Sequence, residues 1–194
     1  MSSNGGSGVR GPYAKGIQRR QEILDRTLDV VANRGIDGTS LRAIGDAIGI
    51  SHAALRHYFS SREALLVEVL RERDVLSGKT LTEVPGVVAG MTAVADRNVQ
   101  EPALVTLYTT LLGASVEPGN EEARVFFTER FDSARADLAA QLRDELVASG
   151  RYSDADLEQV ASLIIAAFDG LQVQWLLDRS IDIAGTLRLL ERVL

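Results

Sequence analysis

The sequence predicts an all-α protein of about nine helices, and three observations carry that expectation. Apolar residues recur at a period near 3.6 along most of the chain, whereas alternating runs of period 2 are hard to find. The four prolines, Pro12, Pro85, Pro102 and Pro118, stand at the edges of the periodic stretches, where a ring that breaks helices does no damage. Breaks at Pro85-Gly86, Glu101-Pro102, Pro118-Gly119-Asn120, Ser149-Gly150 and Ser180 to Asp182 separate stretches of helical length.

Taken in order, Ile23, Leu24, Thr27, Leu28 and Val31 form the first stripe. It ends at Asn33-Arg34-Gly35, where glycine suits the left-handed residue that follows a helix. Leu41, Ile44 and Ile48 make a short second stripe, and Leu55, Tyr58 and Phe59 a third. Leu65, Leu66, Val69 and Leu76 fall on a fourth helix. Beyond Lys79 the breaks leave helices near 86–99, 103–116, 121–148, 154–178 and 183–193. The stretch 154–178 is apolar on several faces, through Leu157, Val160, Ile164, Ile165, Phe168, Leu171, Val173, Trp175, Leu176 and Leu177. Such a helix must be buried on more than one side, and a partner subunit is a natural cover.

With 194 residues, 45% of them hydrophobic, the chain holds material for one large domain or two small ones. It has no cysteine, so disulfides, zinc-thiolate centres and a cysteine nucleophile are excluded. No uninterrupted apolar run reaches the roughly 18 residues that would cross a bilayer. Met1 to Gly11 is rich in Gly and Ser, lacks the apolar segment of a secretory signal, and reads as a flexible arm. A cytoplasmic protein without a membrane partner is therefore expected.

The net charge of −6 hides an uneven distribution. Residues 1–62 hold nine Lys/Arg and five acids, a net +4, and residues 63–194 hold twelve and twenty-two, a net −10. A basic head on an acidic body fits a nucleic-acid module fused to a domain of another kind, although chance unevenness gives the same numbers.

Ser40 to Phe59, SLRAIGDAIGISHAALRHYF, carries the functional signal. Ser40 can cap a helix that stops at Gly49, Ile50 can plug the angle after it, and Ser51 can cap the next helix. Two short helices joined by a tight glycine-containing turn make a helix-turn-helix. The second helix presents His52, Ala53, Ala54, Arg56 and His57 outward, with small residues at 53 and 54 that permit close approach to a groove floor. Ser60-Ser61-Arg62-Glu63 reads as a capping box, Ser60 capping and Glu63 reaching back, that opens the fourth helix.

Residues from about 17 to 70 resemble the DNA-binding domain of the TetR family. The resemblance rests on the first helix ending in Arg34-Gly35, on Gly38-Thr39-Ser40-Leu41-Arg42-Ala43-Ile44 and Gly49-Ile50-Ser51, on Leu55 and His57-Tyr58-Phe59, and on Ser61-Arg62-Glu63-Ala64-Leu65-Leu66. Ala167-Phe168-Asp169-Gly170-Leu171 through Leu177 is also similar to family members. The resemblance implies a repressor that binds a palindromic double-stranded DNA operator as a homodimer and leaves it when a small molecule binds. It implies an arm over 1–14, a helix-turn-helix domain over 15–62, and a helical ligand-binding and dimerisation domain over 63–194.

Within that frame His52, Ala53, Arg56 and His57 are expected to read bases, and Ser40, Arg42, Ser51, Tyr58 and Arg62 to hold phosphates. His57 has packing under the fourth helix as its alternative. The family usually has an aromatic, most often tyrosine, where this chain has Arg56, so the role of Arg56 is open between a phosphate and a guanine edge. Lys15, Arg19 and Arg20 could add contacts from the arm or simply be solvated. Met91, Tyr108, Leu111, Phe126, Phe127, Phe131 and Trp175 are candidates for the effector pocket, with ordinary core packing as the alternative for each. Dimerisation is expected through the last two helices as a four-helix bundle, Gly170 allowing close approach at a cost of about 1 kcal/mol relative to alanine.

Other signals carry little. Ser77-Gly78-Lys79-Thr80 resembles the end of a phosphate-binding loop, but position 73 is Arg where that loop needs glycine. His52 and His57, the only histidines, have no ligand cluster around them, so neither a metal nor another cofactor is expected. No Ser/His/Asp set can be assembled, and Asp154 and Asp156 read as first-turn acids. No catalytic residue is therefore named and enzyme activity is not expected; a DNA-binding protein without a small-molecule effector is the nearer alternative.

Overall fold

A computed structural model of the chain describes residues 12–36, 39–143, 146 and 152–192. Among them are nine α-helices and no strand: α1 (Pro12–Arg34), α2 (Leu41–Ile48), α3 (His52–Tyr58), α4 (Arg62–Glu83), α5 (Val87–Gln100), α6 (Pro102–Ser115), α7 (Glu121–Leu142), α8 (Asp154–Leu177) and α9 (Ile183–Leu187), the last continued by a 3-10 helix, Arg188–Arg192. The chain divides into two compact units, one ending at Arg62 and the other beginning at Glu63. Of the arm expected over 1–14, residues 1–11 lie outside the described residues, and α1 already begins at Pro12.

In the first unit α1 buries the expected stripe, Ile23, Leu24, Thr27, Leu28 and Val31. The Thr27 hydroxyl is satisfied by donating to the Ile23 carbonyl at 2.7 Å, so a polar atom sits in the core at little cost. Gly35 takes φ +71° and ends the helix. Ser40 then accepts from the Ala43 amide at 3.0 Å and starts α2, which buries Leu41, Ile44 and Ile48. Gly49 stops it at φ +73°, and Ser51 caps α3 by accepting from Ala54 at 3.1 Å.

The corner between α2 and α3 closes on Gly45. The Ile50 amide donates to the Gly45 carbonyl at 2.9 Å. A Cβ on Gly45 would lie 2.6 Å from the Ile50 carbonyl oxygen and 3.0 Å from Leu55 Cδ1, so only glycine lets the two helices meet this closely. Leu55 is fully buried and Phe59 nearly so. Two arginines brace the corner from outside the turn. Arg26 Nη1 of α1 donates to the Ile48 carbonyl at 2.7 Å, supplying a donor and a positive charge at the α2 C-terminus. Arg62 Nη2 donates to the Ile36 carbonyl at 2.5 Å.

The second unit has its own core. Val87, Met91 and Ala95 of α5, Val105 of α6, Leu138 and Leu142 of α7, and Leu157, Ala161, Ile164 and Trp175 of α8 meet in it, with Ile183 and Leu187 of α9. Three sequence expectations need correction here. The fourth helix begins at Arg62, so Ser61 rather than Ser60 precedes it; its buried face ends at Leu70, leaving Leu76 exposed. The closing segment, expected as one helix over 183–193, is α-helix over Ile183–Leu187 and 3-10 helix over Arg188–Arg192. Asp182 caps it by accepting from Gly185 at 2.7 Å, and Ile183 and Leu187 are buried in the core shared with α5. Third, Ala155–Leu177 is long and apolar enough to cross a membrane by length and composition. The search for an unbroken run missed this because Gln159, Ser162, Asp169 and Gln172 interrupt it without much lowering the mean. Here the helix packs along α7 and sends Asp169 and Gln172 inward, while Leu163, Val173 and Leu177 remain exposed on its outer side.

The geometry at Gly45 sets a test. Gly45→Ala is expected to destabilise the first unit by about 1–3 kcal/mol through overpacking. Gly113→Ala, in α6 where an added Cβ meets open space, is expected to be neutral or stabilising by up to about 1 kcal/mol. Urea unfolding followed by circular dichroism distinguishes them; equal effects would contradict the packing argument.

Candidate nucleic-acid interface and ligand cavity

The outward face of α3 is built by subtraction. Leu55 and Phe59 are drawn into the core, which leaves His52 with Arg56, and Ala53 with His57, as two adjacent rows at i, i+4 spacing. All four are exposed, as are Ser40, Arg42 and Ser51, while Tyr58 is half-buried with its ring edge-on to His57 at 5.5 Å. Arg42 and Arg56 have no ion-pair partner among the described residues, so both guanidinium groups are available to an external anion or base edge. Ser40 and Ser51 are committed as caps, and any phosphate contact they make is shared with that duty. Arg62 differs: it is half-buried and turned back to the Ile36 carbonyl. Arg19 and Arg20 belong to α1 rather than to an arm. Arg19 pairs with Glu22 at 2.5 Å, and Arg20 lies 5.2 Å over the Phe59 ring, holding the end of α3.

The second unit contains a cavity of about 640 Å3 walled by α4, α5, α6, α7 and α8. That is the size range of small-molecule sites. Of the seven pocket candidates, Met91, Tyr108 and Phe126 line it, and Leu111, Phe127, Phe131 and Trp175 do not. Adjacent residues on a helix face different ways. Phe126 lines the cavity, whereas Phe127 stands behind that wall, its centroid 5.0 Å from Phe126, 5.3 Å from Tyr108 and 6.3 Å from Phe131. Trp175 sits in the core beneath the Arg179 guanidinium at 3.7 Å, and Leu111 is core as well.

A polar chain crosses the cavity wall and ties five helices together. Arg130 Nε of α7 donates to both oxygens of Asp74 of α4, at 3.1 and 2.9 Å. Its Nη1 donates to the Tyr108 hydroxyl of α6 at 3.1 Å, and Tyr108 donates onward to Asp169 Oδ2 of α8 at 3.0 Å. Gln172 Nε2 donates to Asp169 Oδ1 at 3.5 Å, and Gln172 Oε1 accepts from Asn98 Nδ2 of α5 at 2.9 Å. Burial pushes the Asp74 and Asp169 carboxyl groups above the ordinary carboxylate range, with Arg130 opposing the shift in both. Burial likewise raises the Tyr108 phenol. For Arg130 burial acts against the charge, and the surrounding Tyr108, Asp74 and Asp169 outweigh it.

Reading by periodicity missed this chain, because periodicity rewards apolar residues. The available signal was Arg130 and Asp169, single charges on faces that are otherwise apolar. Among the described residues no group of three or more His, Cys, Asp and Glu is arranged to hold a metal ion.

Comparison with known proteins agrees with this division. Residues 23–69 match the profile described as bacterial regulatory proteins, tetR family, and residues 87–194 the profile described as BetI-type transcriptional repressor, C-terminal. The HTH-type transcriptional regulator PksA of Bacillus subtilis is 28% identical over 180 residues, 83% of this chain and 80% of that protein. A stretch of 53 residues matches another curated repressor at 43% identity, which is only 26% of that protein's length. Among solved structures, a protein of Pseudomonas aeruginosa PAO1 described as a transcriptional regulator superposes with a TM-score of 0.73 at 22% identity, covering 96% of this chain and 93% of that one. One of Saccharomonospora viridis, solved in complex with choline, gives 0.70 at 19%, covering 91% and 95%. At these identities the structural likeness speaks to the fold.

The two buried carboxylates make stability depend on pH. With folded-state values above the unfolded 3.8, their contribution is complete below about pH 4 and is lost as pH rises through the raised values. At neutral pH the Asp169 charge therefore opposes folding. Asp169→Asn keeps an acceptor for Tyr108 without the charge, and is expected to raise Tm at pH 7 and to flatten the decline between about pH 4 and 7. A lower Tm at pH 7 for the variant would contradict this.

Proposed function

This chain belongs to the TetR family of bacterial regulatory proteins, with a BetI-type C-terminal domain, and on that premise we propose that it is a repressor released from a palindromic operator when a small molecule fills the second unit's cavity. That it is a DNA-binding transcriptional regulator, and no enzyme, follows from the family. The finer reading rests above all on α3, whose His52, Arg56 and His57 stand exposed on a corner that Gly45 holds rigid.

In this reading α3 enters the major groove. His52, Ala53, Arg56 and His57 meet base edges, and Arg42, Ser40, Ser51 and Tyr58 take phosphates, which position the protein without specifying sequence. Arg56 reads guanine, since its guanidinium is uncommitted and lies in the row of His52 rather than beside the caps. Arg62 supports the domain from within and leaves phosphate binding to Arg42. Bacterial operators lie on cytoplasmic DNA, which puts the protein there.

The protein acts as a homodimer. Because α9 is spent on the core, the face that pairs is the outer stripe of α8, Leu163, Ala166, Gly170, Val173 and Leu177, with α7 as its flank. A Cβ at Gly170 meets nothing within 4 Å in the single chain, which leaves room there for a second helix. The walls of the 640 Å3 cavity support the effector reading, as does a protein of the same fold solved with choline. Release needs a coupling of about 1–3 kcal/mol between the two sites.

His52→Ala and Arg56→Ala are each expected to weaken operator binding by about 1–3 kcal/mol and to relax sequence preference at one position per half-site. Gel shifts against the selected operator and its single-base variants measure both. Wild-type affinity with unchanged preference in both variants would refute the base-reading assignment.

A further inference from the structure

The charges around the cavity do not balance where they meet. Its wall carries three arginines, Arg71, Arg73 and Arg130, against four carboxylates, those of Asp74, Glu129, Asp137 and Asp169. Arg73 is paired outward with Glu101 at 2.8 Å, and Arg71 lies against Glu68 and Glu129 at 3.5 and 3.6 Å. Arg130 spends its Nε on Asp74 and its Nη1 on Tyr108. No guanidinium hydrogen-bonds Asp169. Its Oδ2 receives the single Tyr108 proton, and its Oδ1 has only the Gln172 amide at 3.5 Å, the outer limit of a hydrogen bond. An ionised carboxylate offers about four acceptor positions, of which these two contacts use two, and Asp169 lines the cavity.

We propose that the cavity takes a protonated amine, an ammonium group bearing at least one N–H on an apolar body, with that N–H donated to the Asp169 carboxylate. This rests on the reading of the cavity as the effector site. An anionic ligand would place a second negative charge beside Asp169, whose cationic neighbour Arg130 is already hydrogen-bonded to Asp74 and Tyr108. A neutral one would leave that charge opposed only through space by Arg130, without a donor of its own beyond Tyr108 and the distant Gln172 amide, which is costly. A quaternary ammonium has no N–H to give Oδ1 and would depend on ring faces. Of the three rings in the wall, Tyr108 already carries the Arg130 guanidinium at 4.8 Å and Phe126 that of Arg71 at 5.0 Å, leaving Phe168 alone. Met91, Val94 and Leu104 provide the apolar walls for the ligand's body. Gln172, held by Asn98, orients the amide that borders the ammonium position.

Four probes sharing one body test this by isothermal titration and thermal melting of the full-length protein at pH 7: 4-phenylbutylamine, its N,N,N-trimethyl derivative, 4-phenylbutan-1-ol and 4-phenylbutanoate. The amine is expected to bind at least about tenfold more tightly than each of the others, the usual margin of a charge-assisted hydrogen bond. In Asp169→Asn that preference is expected to fall to about twofold or less. The ranking in the wild-type protein needs no substitution, so it stands whether or not the variant folds. Equal or tighter binding of the trimethyl derivative, the alcohol or the acid, no binding of the amine, or a preference that persists in Asp169→Asn would each overturn the proposal. Screening varied small molecules for release of bound DNA separates the two readings. A neutral or anionic releasing compound keeps the effector site and overturns the amine. Amine binding at Asp169 without any DNA release supports the site's chemistry and overturns its role as effector.

Discussion

Arg130 is a cation that three helices of the second unit share directly. From α7 it grips Asp74 of α4 with a two-point bond and the Tyr108 hydroxyl of α6, and through Tyr108 it reaches Asp169 of α8. A guanidinium taken out of water is tolerated only when its N–H groups find partners, and the partners here come from different helices. The helices around the cavity are thereby held at one set of distances by charge as well as by packing. The cavity wall carries three arginines and four carboxylates, the imbalance on which the proposed amine site rests.

The first unit follows another rule, close approach. Gly45 lets the backbone of α2 meet Ile50, and Leu55 follows into the space. Arg26 and Arg62 then brace carbonyl groups at the ends of neighbouring segments. Such a corner keeps α3 short, rigid and exposed on one face, as insertion into a groove requires. Residues 1–62 carry the basic excess, and His52/Arg56 and Ala53/His57 form the exposed rows of α3 to which the proposed base reading is assigned.

Much of this fold was legible in the sequence, for physical reasons. Period-3.6 stripes, Ser40 and Ser51 as caps, and Gly35 and Gly49 as left-handed stops act locally, so neighbours in sequence suffice to read them. The same holds for the reading face of α3, where Leu55 and Phe59 define inside. What escaped depended on partners distant in sequence. Arg130 and Asp74 are 56 positions apart and Tyr108 and Asp169 are 61 apart, and no local pattern marks them as joined. Phe126 and Phe127 are alike as residues, and only tertiary packing decides which one lines the cavity. Gly45 was overlooked in favour of Gly49, since its need for a missing Cβ comes from Ile50 and Leu55 rather than from φ. The closing helix changes from α to 3-10 at Arg188, a change that the apolar pattern continuing through Leu189 and Leu190 does not mark.

The proposed homodimer would impose two-fold symmetry on the DNA it holds, with half-sites a helical turn or a multiple apart. Selection of bound fragments from the source genome by the purified full-length protein, followed by sequencing, addresses this most directly. The account predicts enrichment of a short, two-fold symmetric motif of fixed half-site spacing, with binding that weakens as salt rises. Enrichment of no motif, or of a single unpaired half-site, would contradict it.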